Sequence, residues 1–232
     1  LNKGKSMLER LKKEVFEGNL QLVQEKLVIL TWGNVSGIDR EHNVVVIKPS
    51  GVPYHKLKVR DMVVVDMEGQ IVEGDLKPSV DLPIHLAIYK NISYANAVVH
   101  THSHFATCWA QARTPIPCLG TTHADYFFGD IPLTELPNIE DYEQSIGEKI
   151  VQCIIKNGER KCRAVLVPGH GPFVWGENVE NAVETAFVLE KLAEMAYHTI
   201  MISNGNLEVL EEKYIRKHYE RKWGNEAYYG QK

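Results

Sequence analysis

Two histidines one residue apart, His100 and His102, close the apolar run Ala97-Val98-Val99. In an extended strand, residues i and i+2 share a face with Cα atoms about 7 Å apart. Two imidazoles so placed can converge on one cation. A zinc-type divalent ion takes such nitrogens at about 2.0–2.1 Å and keeps one position open when it is catalytic. A third ligand must come from elsewhere. His170 is the best candidate, in Pro168-Gly169-His170-Gly171-Pro172 directly after the apolar run Ala164 to Val167. Its flanking glycines let the backbone turn tightly and bring the ring close to a bulky neighbour. His85 and His104 stand as rival ligands, whereas His42, His55 and His198 read as surface or packing residues. A thiolate site is disfavoured, because Cys108, Cys118, Cys153 and Cys162 form no CxxC pair.

Three short segments with small polar residues follow apolar runs: Trp32 to Ser36, Lys48 to Gly51, and Lys77 to Ser79. Each offers backbone N–H groups, a hydroxyl or an amide to anionic oxygens, and Lys48 or Lys77 supplies charge. Singly they read as plain turns; together they suggest a phosphate cradle. None is a Walker A or Rossmann fingerprint, so nucleotide and NAD binding are not expected. Asp81 lies just after Ser79, where a helix N-cap is the plain alternative to chemistry. Asp125, in Thr121-Thr122-His123-Ala124-Asp125-Tyr126, has no periodic packing role, and a surface loop carboxylate is its plain alternative. Tyr228 and Tyr229 lie close to the chain end, where termini usually fray. Adjacent aromatics there suggest a docked tail, with another subunit as one surface it could meet.

The elements that must position these groups interleave. Met7, Leu8, Leu11 and Val15 recur at helical spacing. Strands are expected at Leu27 to Thr31, Val44 to Lys48 and Met62 to Val65, with a hairpin turn at Glu68-Gly69 between MVVVDM and QIVEG. A helix from Pro78 to Tyr89, a strand from Ala97 to His102, a helix from about Ile139 to Lys156 and a strand from Ala164 to Val167 follow. Asn178 to Ile202 carries Ala182, Ala186, Leu189, Ala193 and Ala196 on one stripe, the mark of a long core helix. A charged helix precedes Ala227-Tyr228-Tyr229-Gly230-Gln231. This order indicates one layered α/β domain. It is expected to span residues 7–232, with residues 1–6 as a leader or tag remnant. The 232 residues carry 26 basic and 30 acidic side chains, which argues against non-specific nucleic-acid binding. No apolar run reaches the roughly 18 residues of a membrane span. A cytoplasmic, reduced setting is the default for so few scattered cysteines.

LTWGNVSGID, VIKPSGV, KPSVDLPIH, VVHTHSHFATCWAQA, GTTHADYFFGDIP, VPGHGPFVWG and HYERKWGNEAYYGQ, in this order, resemble the class II aldolase/adducin-like family. The resemblance runs from about Met7 to Gln231. TTHADYF and AYYGQ are far more specific than the HTH piece and point to the family's epimerase branch. The resemblance implies a three-layer α/β/α domain around a central, largely antiparallel sheet, assembled as a cyclic homotetramer with sites between subunits. It implies zinc, with manganese or cobalt as substitutes, on His100, His102 and His170, and Asp81 as a fourth ligand. Asp125 and Tyr229 match an acid/base pair brought together from neighbouring subunits. Asn34, Ser50, Gly51 and Ser79 match substrate and phosphate contacts, with Lys48 close by and Thr121 in the same group. His218 matches a tail histidine that helps at the phosphate end, and Glu143 falls near an acidic family position. One departure is clear: Ser79-Val80-Asp81 stands where the epimerases have Ser-Ser-Asp, leaving only the Val80 backbone N–H for the phosphate.

The implied activity is interconversion of L-ribulose 5-phosphate and D-xylulose 5-phosphate in arabinose or ascorbate breakdown. The hydrogen on carbon 4 of such a ketose is not next to the carbonyl, so removing it leaves a carbanion with no electron sink. Breaking the C3–C4 bond instead lets the electrons flow into the carbonyl, and re-forming it on the other aldehyde face inverts the centre. The alternatives are a class II aldolase acting on a deoxyketose 1-phosphate, which would carry glutamate at position 81, and a non-catalytic module like the adducin head.

Overall fold

The structure is a computed structural model that describes residues 2–158 and 162–230. Leu1, Gln231 and Lys232, which enter the expectations for the leader and the tail, lie outside these residues. Seven strands form one antiparallel sheet: β1 Asn34–Asp39, β2 Val44–Ile47, β3 Val63–Asp66, β4 Ile71–Glu73, β5 Ala97–His100, β6 Ala164–Val167 and β7 Gly171–Gly176. Their order across the sheet is β4-β3-β2-β1-β5-β7-β6. The buried strands β2, β3, β5 and β6 are Val- and Ile-rich, the composition that suits a pleated surface covered on both faces.

Alternation along the strands sends side chains into two cores. Val45, Ile47, Val63, Val65, Val98, Val165, Val167, Phe173 and Trp175 pack with helices α2 (Leu82–Asn91) and α5 (Tyr142–Asn157). Val35, Val46, Val64, Ala97, Val99, Ala164, Leu166 and Val174 pack with α1 (Asn2–Gln24), α3 (His104–Gln111) and α6 (Val179–Ile202). The result is the expected three-layer α/β/α arrangement. The stripe Ala182, Ala186, Leu189, Ala193 and Ala196 is buried as expected. Full burial of one such leucine is worth about 1.5–3 kcal/mol. Two further helices, α4 (Thr121–Ala124) and α7 (Glu212–Trp223), lie together outside the main layers. All four cysteines are free. No helix among the described residues is long and apolar enough to cross a membrane.

Three expectations need correction. Leu27 to Thr31 is not a strand: Lys26 and Leu30 adopt φ of 59° and 56°, which breaks an extended path. That segment instead exposes Ile29, Leu30 and Trp32. The strand is the polar stretch after it, Asn34–Asp39, read from its sequence as a turn, and it is buried throughout between β2 and β5. Second, β5 ends at His100, before His102. Third, α2 starts at Leu82 rather than Pro78, and α5 at Tyr142 rather than Ile139. The pieces flanking the histidine motifs are regular too: His104 opens α3, and Gly171 opens β7.

Candidate metal centre

Register brings the site together. Asn34 of β1 pairs with His100 of β5, which pairs on its other side with Phe173 of β7. His102 follows β5 on the turn into α3, and His170 sits on the turn from β6 to β7. Two glycines permit this closeness. A Cβ on Gly171 would lie 2.7 Å from the Thr101 carbonyl oxygen, and Gly33, at φ +76°, would place one 2.9 Å from that of His100. Although the strand stops at His100, the three rings converge. His100 Nε2 lies 3.1 Å from His102 Nε2 and 3.1 Å from His170 Nε2.

The other nitrogens of these rings are engaged. His100 Nδ1–H donates to the Pro172 carbonyl at 3.0 Å, and His170 Nδ1 lies 3.3 Å from the Tyr142 hydroxyl. The His102 ring is hydrogen-bonded by the His170 backbone. Such partners fix the tautomer that leaves Nε2 bare for a cation. Burial pushes His100 down to about 3 and His170 to about 4, and lowers His102. All three rings are therefore neutral near pH 7, the form that binds metal. Tetrahedral nitrogens at the usual zinc distance stand about 3.3–3.4 Å apart. The observed spacing fits a divalent cation with little movement.

Asp81 lies beside this set without joining its three converging nitrogens. It occupies the N-cap position of α2, yet its side chain makes no capping bond. Its Oδ2 instead accepts from Asn34 Nδ2 at 2.7 Å. Burial alone would raise its carboxyl, but His100, His85, the Asn34 amide and His170 outweigh that and hold it below the usual carboxylate range. Asn34 Nδ2 also donates to Ser79 Oγ at 3.0 Å. The two expected anion-binding turns are zipped together: Ser50 N–H donates to the Lys77 carbonyl and Ser79 N–H to that of Lys48, each at 3.0 Å. Ser50 and Gly51 are exposed at the rim, as is the Val80 side chain. Lys48 is enclosed, with Nζ 4.8 Å from the Tyr54 ring centre and donating to the Thr31 carbonyl at 3.2 Å. Burial lowers it to about 8, against the pull of Asp81. Glu143, in the first turn of α5, acts on the His170 ring electrostatically.

A second cluster gathers the remaining expected residues. Arg221 grips Asp125 with two bonds, Nε to Oδ1 at 2.8 Å and Nη2 to Oδ2 at 2.7 Å. His218 Nδ1 lies 3.1 Å from Asp125 Oδ1, and Trp223 Nε1–H donates to the Asp125 carbonyl at 2.7 Å. Burial raises the Asp125 carboxyl, but Arg221 and His218 hold it below the usual range, so it is ionised. The tail folds back on α7: the N–H groups of Tyr228 and Tyr229 both donate to the Arg221 carbonyl at 3.0 Å. The Tyr229 ring centre is 5.0 Å from the Arg221 guanidinium, and the ring itself is half exposed. Thr121 opens α4 and accepts the Asp125 N–H at 2.9 Å. Among the described residues, no hydrogen bond, ion pair or ring contact joins this cluster to the three histidines.

Residues 13–197 match the family described as Class II Aldolase and Adducin N-terminal domain. The chain belongs to that family. L-ribulose-5-phosphate 4-epimerase UlaF of Salmonella paratyphi A (strain ATCC 9150 / SARB42) is 48% identical over 229 residues, covering 97% of this chain and 100% of that one. The protein of the same name from Salmonella typhi gives the same figures. Among solved structures, an L-fuculose 1-phosphate aldolase superposes with a TM-score of 0.81 at 27% identity, over 91% of this chain and 95% of that chain. The l-fuculose-1-phosphate aldolase from Thermus thermophilus gives 0.68 at 25% identity, over 87% and 99%.

Within this class II aldolase fold, the rival ligands fall away. His104 is exposed with its ring against Phe105, and His85 is buried behind the site. Sequence reasoning passed over Arg221, Trp223 and Tyr142. The first had a readable signal: Arg221 lies three residues after His218, on the same helix face. Trp223 and Tyr142 had none, since both act on groups far away in sequence.

Proposed function

We propose that the protein is a metal-dependent epimerase that interconverts L-ribulose 5-phosphate and D-xylulose 5-phosphate by opening and re-forming the C3–C4 bond. The observation that carries this reading is near full-length identity of 48% to epimerases of that name, joined to three neutral imidazoles converging within 3.1 Å contacts. His100, His102 and His170 would hold the ion, zinc by preference with manganese or cobalt as substitutes, and Asp81 would complete the set. The ion, once bound, supplies a Lewis acid for the oxygens on carbons 2 and 3.

The chain's own groups do the rest. Asn34, Ser79, Ser50, Gly51, the Val80 N–H and Lys48 border the centre, where they can grip the phosphate and keep the aldehyde fragment from leaving. Release would turn the reaction into an aldolase cleavage. Asp125, held ionised, accepts the proton of the carbon-4 hydroxyl as the bond opens on one face. Tyr229 returns a proton to that oxygen on the other face, with Arg221 beside its ring. His218 and Thr121 border this second half, and His218 is assigned to the phosphate end. Because the halves do not touch among the described residues of one chain, each complete site draws its acid/base pair from a neighbouring copy in a cyclic homotetramer. The domain spans residues 7–232 and works in the cytoplasm.

A coupled assay for D-xylulose 5-phosphate tests the reading. Activity on L-ribulose 5-phosphate should vanish with a chelator and return with zinc, manganese or cobalt. Full activity in thoroughly stripped protein, or steady release of free aldehyde, would overturn it.

A further inference from the structure

His85 is left out of the three-nitrogen set, yet it is fully enclosed, at 0% exposure. Its Nδ1 lies 2.7 Å from Ser36 Oγ, which lies 2.7 Å from the Tyr89 hydroxyl. Ser36 and Tyr89 are buried as well. This explains why the central strand β1 carries Ser36 where its register partners are Ile47 and Val98. The chain of contacts has two alternative proton orders.

The serine has one proton, so it donates to one neighbour and accepts from the other. In the first order, His85 Nδ1–H donates to Ser36 and Ser36 donates to Tyr89. The Tyr89 proton then has no acceptor among the described residues, and the Asp81 carboxylate, which acts electrostatically on the ring, meets no proton on Nε2. In the reverse order, Tyr89 donates to Ser36, Ser36 donates to Nδ1, and the ring proton sits on Nε2. That nitrogen is closed to solvent and has no partner within hydrogen-bond reach among the described residues. A buried donor left so is costly, which calls for an acceptor within a small movement of the ring.

Asp81 is the candidate. It stands one turn before His85, whose backbone N–H donates to the Asp81 carbonyl at 3.2 Å. Residues four apart share a helix face, and the Asp81 carboxylate acts electrostatically on the His85 ring. Asp81 Oδ2 is taken by Asn34, while Oδ1 has no hydrogen bond among the described residues.

We infer that His85 is a positioning residue. The buried relay Tyr89–Ser36–His85 keeps the ring proton on Nε2, from which a small approach to Asp81 Oδ1 would hold the carboxylate between Asn34 and His85 beside the three ring nitrogens. The inference rests on the metal-centred reading above and gives that site a second layer reaching through β1.

The full chain labelled with nitrogen-15 histidine tests it directly. In metal-free and zinc-loaded protein, the His85 ring, identified by its loss in His85→Gln, should carry its proton on Nε2. Zinc affinity, read by competition with a chromogenic chelator, should weaken about tenfold or more in His85→Leu. In His85→Gln, whose amide can donate from nearly the same place, it should stay within a few-fold. A proton on Nδ1 overturns the inference, and so does parental zinc affinity in His85→Leu. Should that variant fail to fold, the proton position in the parent protein decides alone. An active epimerase with its proton on Nδ1 defeats this inference and spares the proposed function. The expected tautomer in a protein that does not interconvert the two phosphosugars does the opposite.

Discussion

Acid should destabilise this protein steeply, and His123 should carry a defined share of the loss. The ring lies on α4 at 3% exposure, with Nε2–H donating to the Gly129 carbonyl at 2.9 Å and Phe127 beside it. Burial pushes it down to about 4, against the opposing pull of the Gly129 carbonyl and Asp130. In the unfolded chain the same ring titrates near 6.5. The unfolded state therefore takes up the proton first. The ring's contribution to stability is complete above pH 6.5, shrinks as pH falls, and is gone below about pH 4. The gap corresponds to about 3 kcal/mol, a large fraction of the 5–15 kcal/mol typical of a domain. His123→Gln cannot charge, and its amide can still reach Gly129. It should start about 1 kcal/mol less stable at pH 7, from lost ring packing. It should then lose about 3 kcal/mol less on the way to pH 4, so the two stability curves cross. Urea unfolding followed by tryptophan fluorescence at half-unit pH steps measures this, with chelator in every sample so that the metal ligands weigh equally on both proteins. Parallel curves for parent and variant would refute the reasoning.

The acid/base assignment predicts that Asp125→Asn and Tyr229→Phe each slow turnover by about 10²–10⁴-fold while bound metal stays at parental levels. Near-normal rates in both would remove them from those roles. Val80→Ser restores a hydroxyl at an exposed rim position (65% exposed), so folding should be untouched. KM for the phosphosugar should fall by about fivefold, the worth of one added hydrogen bond, with kcat unchanged. An unaltered KM would show that the phosphate does not sit there.

The helices and most strands were legible because their apolar residues keep regular periods, as in Ala182 to Ala196 and Val63 to Val65. The strand β1 was not. Its Asn34, Ser36 and Gly37 read locally as a turn, and only partners distant in sequence make it a strand interior. Asn19 of α1 hydrogen-bonds both the N–H and the carbonyl of Val35, and His85 and Tyr89 satisfy Ser36. The histidine set was legible for a reason that only partly held: His102 reaches its neighbours from a turn, not from a strand face. For Asp81, spacing supported cap and site equally, and the Asn34 contact favours the site. Arg221 was readable only as a helix-face neighbour of His218, because its partner Asp125 lies 96 positions earlier.

In the proposed assembly, where each site joins the three histidines of one copy to the Asp125 and Tyr229 cluster of the next, the division of the chemistry has a genetic corollary. A variant crippled at His100 still owns an intact tail, and one crippled at Tyr229 still owns intact imidazoles. Co-folded in equal amounts in a ring, two such dead proteins would rebuild a whole centre wherever good halves face each other, at roughly a quarter of the junctions by chance. Damage at His100 would then be masked by a second copy damaged at Tyr229, so two inactive variants mixed in one assembly would together recover part of the proposed activity.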